Sequence, residues 1–407
     1  MAVQTIYCQS EKVIDWNVDL DYLSQELPKR HCNFFSLKSK EDFQSGINTI
    51  KSNCKQMTDI QVAMRTQQVI ATMGDSHTML NFYQMLDKNK KLPIHLFWTS
   101  DGIHILHTTP ENKEILGARL VSINRVPIRT IVDSLSTLLT IDNQAIVKSK
   151  IPQLIPFVQI LDFFGFVGKN QIELGLENNR GNFSYYQLKE SELNRNNRVS
   201  FKPDSIAFCI RNEKTFFTES YFANEKIYYI QYNKCSSKEL ELKYGDKRKA
   251  QTMPSFKDFE KKIFKALKNQ SIDKIIFDLR FNSGGNSSQG TEFIEQLAVF
   301  LKKNPQIRTY VIIGRETFSS AILNAMDFKR LTKAIFVGEE TAGKPNHFGE
   351  VRSLQLPMSK VYVGYSTKYF KKTDENINTL KPDISLEMSF SDFTKGLDPV
   401  FEWIKNQ

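Results

Sequence analysis

The chain has little cysteine, no long apolar run and no clustered charge. Five cysteines (Cys8, Cys32, Cys54, Cys209 and Cys235) stand among 407 residues. Their number is odd and their spacing fits neither a disulfide framework nor a metal site, so buried free thiols are expected. The longest apolar stretch, residues 151–167, is broken by Pro156, Gln159 and Asp162, which argues against a stable membrane insertion. The first residues, Met1 to Cys8, lack a basic segment followed by an apolar core, so no signal peptide is read there. The net charge is +10, yet Lys and Arg are spread along the chain and no basic block with interleaved aromatics occurs. A solvated basic surface is expected, with no nucleic acid as partner.

What is present is ample core material, with 40% apolar and 12% aromatic residues, enough for two or three domains. Residues 19–27, 39–50 and 59–73 carry apolar side chains three and four apart and read as helices, the third capped by Thr58 or Asp59. From residue 92 the period changes to two. Ile94, Leu96 and Trp98 alternate, Asp101-Gly102 marks a turn, and Ile103 and Ile105 alternate again. Short strands are expected at residues 172–176 and 207–210, and a further one at 227–232. Ser255 caps an amphipathic helix carrying Phe259, Ile263, Phe264 and Leu267, so strand, helix and strand succeed one another as in a parallel α/β layer.

The last third holds two copies of one plan. The run Ile275 to Phe277 is a buried strand, followed by the turn Asp278-Leu-Arg-Phe-Asn-Ser-Gly-Gly285 and a helix with Phe293, Ile294 and Leu297. The run Thr309 to Ile313 is again a strand, followed by the turn Gly314-Arg-Glu-Thr-Phe-Ser319 and a helix that begins at Ser319 or Ser320. Turns at the carboxyl ends of such strands collect ligands and catalytic groups. One turn offers backbone N–H groups at Gly284 and Gly285, the other a serine hydroxyl. Both serines also suit plain helix caps, and the glycine pair also suits a tight turn without a ligand.

These segments, with Gly338-Glu-Glu-Thr-Ala-Gly-Lys344 and Lys381-Pro-Asp383, resemble the serine peptidase superfamily of tail-specific (C-terminal processing) and tricorn-like proteases. The resemblance implies an α/β fold with α+β elements. Its parts would be a helical N-terminal region over 1–88 carrying Gly74-Asp-Ser-His-Thr78, a degenerate PDZ-like β domain over 89–140, and an α/β serine peptidase core over 141–407. It implies Ser319 as nucleophile, with N–H groups of Ser320 and of Gly284 or Gly285 as the oxyanion hole. In the tricorn-like branch the base is an early histidine oriented by a late glutamate, matched here by His77 and Glu375, with Ser76 as support. In the tail-specific branch it is a lysine, matched by Lys344, which must be neutral to act. Phe348 stands where that branch places a glutamine that orients the lysine, so His77 is preferred. His347 is a third candidate, without a counterpart in the superfamily.

The expected activity is peptide-bond hydrolysis through an acyl-enzyme, on peptides or unfolded proteins, with no cofactor and no metal. His104 and His107 lie three apart on a strand and so face opposite ways. His31 and His95 read as ordinary residues. The chain reads as soluble; relatives in the superfamily are commonly exported, so its compartment stays open, with an extracytoplasmic or secreted location and an absent leader among the readings. The rival expectation is a non-catalytic binding protein on the same fold.

Overall fold

The structure is a computed structural model and describes residues 14–168 and 172–407. Cys8 and the N-terminal segment read for a leader lie outside the described residues. The chain forms two compact units. One takes the described residues up to Leu86, Leu138–Thr140 and Phe348–Lys368, and the other takes Asp87–Thr137, Ile141–His347 and Tyr369–Gln407.

In the first unit the helices begin where the sequence supplies caps. The Asp15 side chain accepts the Asn17 N–H ahead of Trp16–Arg30, Ser39 and Asp42 close a capping box on Lys40–Asn53, and Gln61 accepts the Thr58 N–H ahead of Asp59–Ala71. Each such cap contributes about 1 kcal/mol. Leu20, Leu23, Leu27, Phe43, Ile47, Val62 and Ile70 bury the apolar faces. Asp19 is buried too, because its carboxylate accepts the N–H groups of Met358 (2.7 Å) and Ser359 (2.8 Å). A buried carboxylate is tolerated only with such partners. The bonds hold the turn between two strands, His347–Gln355 and Tyr362–Phe370, which with Met79–Leu80 form a three-stranded sheet with Tyr362–Phe370 in the middle and His347–Gln355 at one edge.

The second unit is built on a six-stranded sheet. Its order is Ile384–Ser385, Ile335–Gly338, Arg308–Ile313, Lys274–Asp278, Ile227–Tyr232 and Phe217–Phe222, parallel except at the last pairing. Ile275, Ile276 and Phe277 are buried on both faces, which is why that strand is continuously apolar. The helices Phe256–Asn269, Ser288–Lys303 and Ser320–Leu331 supply Ile263, Leu267, Phe293 and Phe328 to one face, and Pro399–Lys405 supplies Val400 and Ile404 to the other. The α/β expectation is met.

A second, antiparallel sheet has the order Ile94–Thr99, Gly102–Thr108, Arg119–Ile123, Ile172–Glu177 and Phe183–Leu188. It therefore continues past residue 140. The strand expected at 207–210 is instead the short helix Phe208–Arg211. Its Phe208 packs edge-on against Phe222 and Tyr229, and its Cys209 carbonyl accepts from the Gln231 side chain. Tertiary contacts there override a weak strand preference. Among the described residues no helix is long and apolar enough to cross a membrane.

Candidate active site

The turn after Arg308–Ile313 is held from within. The Thr317 hydroxyl is buried, accepts the Gly314 N–H (3.0 Å) and donates to the Leu279 carbonyl (2.8 Å), while the Phe318 N–H donates to the Asn282 carbonyl (3.0 Å). Ser319 follows with φ 53° and ψ −124°. That conformation suits glycine and costs a side-chain-bearing residue about 1–3 kcal/mol. Ser319 occupies the N-cap position of Ser320–Leu331, yet its side chain makes no capping bond. A strained serine between a strand and a helix, with its hydroxyl not engaged in capping, has the form of a nucleophile elbow.

Ser320 also stands at the helix start, where a serine suits a cap. Its hydroxyl instead donates to the Gly285 carbonyl at 2.7 Å, so it joins the serine turn to the glycine turn. A Cβ on Gly284 (φ 104°) would lie 2.9 Å from Ser319 Cβ and 3.1 Å from Ser320 N. One on Gly285 (φ 135°) would lie 2.3 Å from the Cys235 carbonyl oxygen. Neither position accepts a side chain. The Gly284 N–H donates to Asn282 Oδ1 (2.9 Å), and Asn282 Nδ2 donates to the Tyr232 carbonyl. Cys235, buried alongside, is no rival nucleophile, because burial pushes its thiol up to about 12.

Lys344 forms an ion pair with the buried Asp142 at 2.9 Å. Its Nζ is thus engaged by a carboxylate partner. His347 is buried and its Nδ1 donates to the carbonyls of Lys344 (3.0 Å) and Pro345 (3.2 Å). Glu375 lies on a loop pinned by Asn346, whose Oδ1 accepts the N–H groups of Lys372 and Thr373 and whose Nδ2 donates to the Thr373 carbonyl. The Glu375 residue itself is solvent-exposed.

In the first unit, Gly74 (φ 87°) ends the run-out of Asp59–Ala71 and turns the chain into Asp75, Ser76 and His77. Asp75 is the hub of this turn. Its Oδ1 accepts the His77 N–H (2.9 Å) and its Oδ2 accepts the Thr78 hydroxyl (2.5 Å) and the His31 Nε2–H (2.9 Å). Burial opposes ionisation, but these hydrogen bonds, led by that from His31, outweigh it and hold the carboxyl at about 2. His77 Nδ1 lies 3.9 Å from Asp75 Oδ1, and the His77 side chain is 10% exposed. Ser76 is half-buried beside it.

No family model matches the chain, and no curated protein matches it. Solved structures do. The structure of mature CPAF complexed with lactacystin aligns over 95% of this chain and 96% of its own, with a TM-score of 0.63 and 12% identity. This is the CPAF fold. A crystal structure of a CPAF serine-to-alanine mutant aligns with a TM-score of 0.61 at 13% identity over 95% of each chain. A weaker likeness, TM-score 0.40 at 13% identity over 92% of this chain and 94% of the other, is to the photosystem II D1 C-terminal processing protease. The α/β fold expected from that resemblance is shared with the CPAF structures.

Within this CPAF-like fold the second unit contains Ser319, Ser320, Gly284, Gly285, Lys344 and Glu375, and the first contains His77 and Ser76. Two histidines read as without chemical company have close neighbours in the structure. His31 bonds to Asp75, and His95 stands across the strand pair from His107 with ring centroids 5.0 Å apart. His104 faces elsewhere, stacked on Phe390 at 3.9 Å with Nδ1 donating to the Gly117 carbonyl. Among the described residues no group of three His, Cys, Asp or Glu side chains is arranged to hold a metal. The one sequence signal for the His31 contact was an aspartate beside a candidate base, since a buried carboxylate needs several donors.

Proposed function

We propose that the chain is a serine-type peptidase with Ser319 as nucleophile, His77 as general base and Glu375 as the carboxylate that orients the base. The observation that carries this reading is the backbone of Ser319: strain of that kind persists only where the surroundings impose it, and it collects at functional positions. Ser319 Oγ attacks the scissile carbonyl and gives its proton to His77, which returns it to the leaving amine. Water then hydrolyses the acyl-enzyme by the same relay. The N–H of Ser320 lies in the first turn of its helix, where amides have no intrahelical acceptor and the dipole favours negative charge. Gly285 supplies the second oxyanion donor, since the Gly284 N–H is engaged by Asn282. Ser76 supports the histidine turn. No cofactor and no metal is required.

Substrates are peptides or unfolded proteins taken in extended form. The outer strand His347–Gln355 exposes residues 350–353, so a substrate strand pairs there through main-chain hydrogen bonds with little side-chain selectivity. Peptides with single N-methylated amides should then lose cleavage at particular positions; indifference at every position rejects strand pairing. An antiparallel sheet that starts at Ile94 forms a PDZ-like wall beside the core.

Covalent labelling with a fluorophosphonate, read by intact mass and peptide mapping, tests the chemistry. Label on Ser319 that vanishes with His77→Ala and survives Lys344→Ala is expected. The opposite pattern assigns the base to Lys344, and absence of label from every form favours a binding protein. Lactacystin, present in the CPAF complex, is a second probe to test for labelling of this chain. Cleavage of casein against a small activated ester separates a peptidase from an esterase.

A further inference from the structure

His31 is 44 positions from Asp75 in the chain and meets it in a sealed environment, with side-chain exposures of 1% and 5%. The Asn33 N–H donates to His31 Nδ1 at 3.0 Å. That bond leaves the ring proton on Nε2, so the 2.9 Å contact is Nε2–H donating to Asp75 Oδ2. The ring is fixed further by edge-on contacts with Phe34 (5.6 Å) and Phe348 (5.1 Å). Its neighbour Cys32 donates its N–H to the Ser366 carbonyl, which anchors the end of the first helix to the strand Tyr362–Phe370.

Asp75 in turn has one oxygen for its supports and one for His77. Oδ2 takes His31 and Thr78, while Oδ1 takes the His77 N–H and faces the Nδ1 side of the His77 ring at 3.9 Å. The Asp75 carbonyl receives the Thr140 hydroxyl at 3.3 Å. A histidine that accepts a proton from serine at Nε2 must carry its own proton at Nδ1. A fixed anion on the Nδ1 side favours that tautomer and stabilises the imidazolium that forms.

We propose that His31 and Asp75 are a buried positioning pair for His77: Asp75 holds the histidine turn through the His77 N–H and adds a negative charge on the Nδ1 side beside the orienting role given to Glu375, and His31 holds Asp75 in place. This rests on the reading of His77 as general base. Neither residue touches substrate, and both act through His77. The groups facing the pair are His77 and Thr78 in the same turn, Cys32 after the first helix, Thr140, and Ser366 on the neighbouring strand.

The test is the rate of fluorophosphonate labelling of Ser319 as a function of pH, on the full chain, with circular dichroism melts as a control for folding. Asp75→Asn should slow labelling near neutral pH by about 10- to 100-fold, as misplacing a base does, and should move the acid limb of the profile to lower pH, since the imidazolium loses its anion. His31→Leu should act in the same direction, and His31→Gln, which keeps an N–H donor, should recover most of the rate. A folded Asp75→Asn protein with the natural rate and profile overturns the pair and leaves His77 as base. Should Asp75→Asn not fold, equal rates for His31→Leu and His31→Gln overturn it. Full labelling of His77→Ala, or none of the natural chain, removes the base assignment itself and the pair with it.

Discussion

The serine turn and the histidine turn reach rigidity by opposite means. Around Ser319 the chain uses backbone: a left-handed serine, two left-handed glycines and a lattice of main-chain bonds. Around His77 it uses side chains, a buried carboxylate surrounded by His31 and Thr78 donors. A nucleophile needs an unhindered approach and nearby N–H groups, which only bare backbone provides. A base needs a fixed proton and a fixed charge, which side-chain networks provide.

Replacing the serine gives the largest expected effect and separates strain from chemistry. Ser319→Gly should abolish labelling yet raise stability, by up to about 1 kcal/mol after the entropy cost of glycine, because φ 53° with ψ −124° no longer strains the residue. Urea melts check it, and a less stable variant would show that the backbone there is relaxed. Next in size is Gly285→Ala, whose Cβ meets the Cys235 carbonyl oxygen. Labelling should fall by about 100-fold or more, with about 1–3 kcal/mol of stability lost.

The histidine turn should instead answer to acid. The folded-state value for Asp75 lies below its ordinary one, near 2 against 3.8, so its contribution, about 2 kcal/mol, is complete above pH ~4 and lost as pH falls through ~2. In urea melts from neutral pH downward, the gap between the natural chain and Asp75→Asn should close across that window. A gap independent of pH would mean that packing, and not charge, accounts for the difference. The smallest effect on labelling is expected from Lys344→Ala, within about 3-fold, with about 1–3 kcal/mol of stability lost because Asp142 is left buried without its ion pair. A larger drop in labelling would restore the lysine to the reaction.

The same contrast explains what could be read in advance. Glycine pairs, strand periodicity and serines at a helix start are local, so both strand–turn–helix copies and the helices of residues 16–71 were legible. Contacts that join distant positions were not. Nothing near His31 announces Asp75, and nothing near Lys344 announces Asp142. The Ser320 bond was hidden for the same reason: the Gly285 carbonyl that it meets belongs to another turn. The Phe208–Arg211 helix escaped because its phenylalanine answers to Phe222 and Tyr229.

Cys235 abuts the glycine turn, and its carbonyl receives the Asn286 N–H. With a sealed thiol near 12, it is almost never a thiolate and so is poorly reactive toward peroxide or alkylating agents. A glycine turn whose neighbouring thiol is chemically silent needs no reductant to stay intact. Iodoacetamide should therefore modify the exposed Cys32 well before the machinery around Ser319 registers any loss, and the protein should tolerate an oxidising compartment as readily as a reducing one.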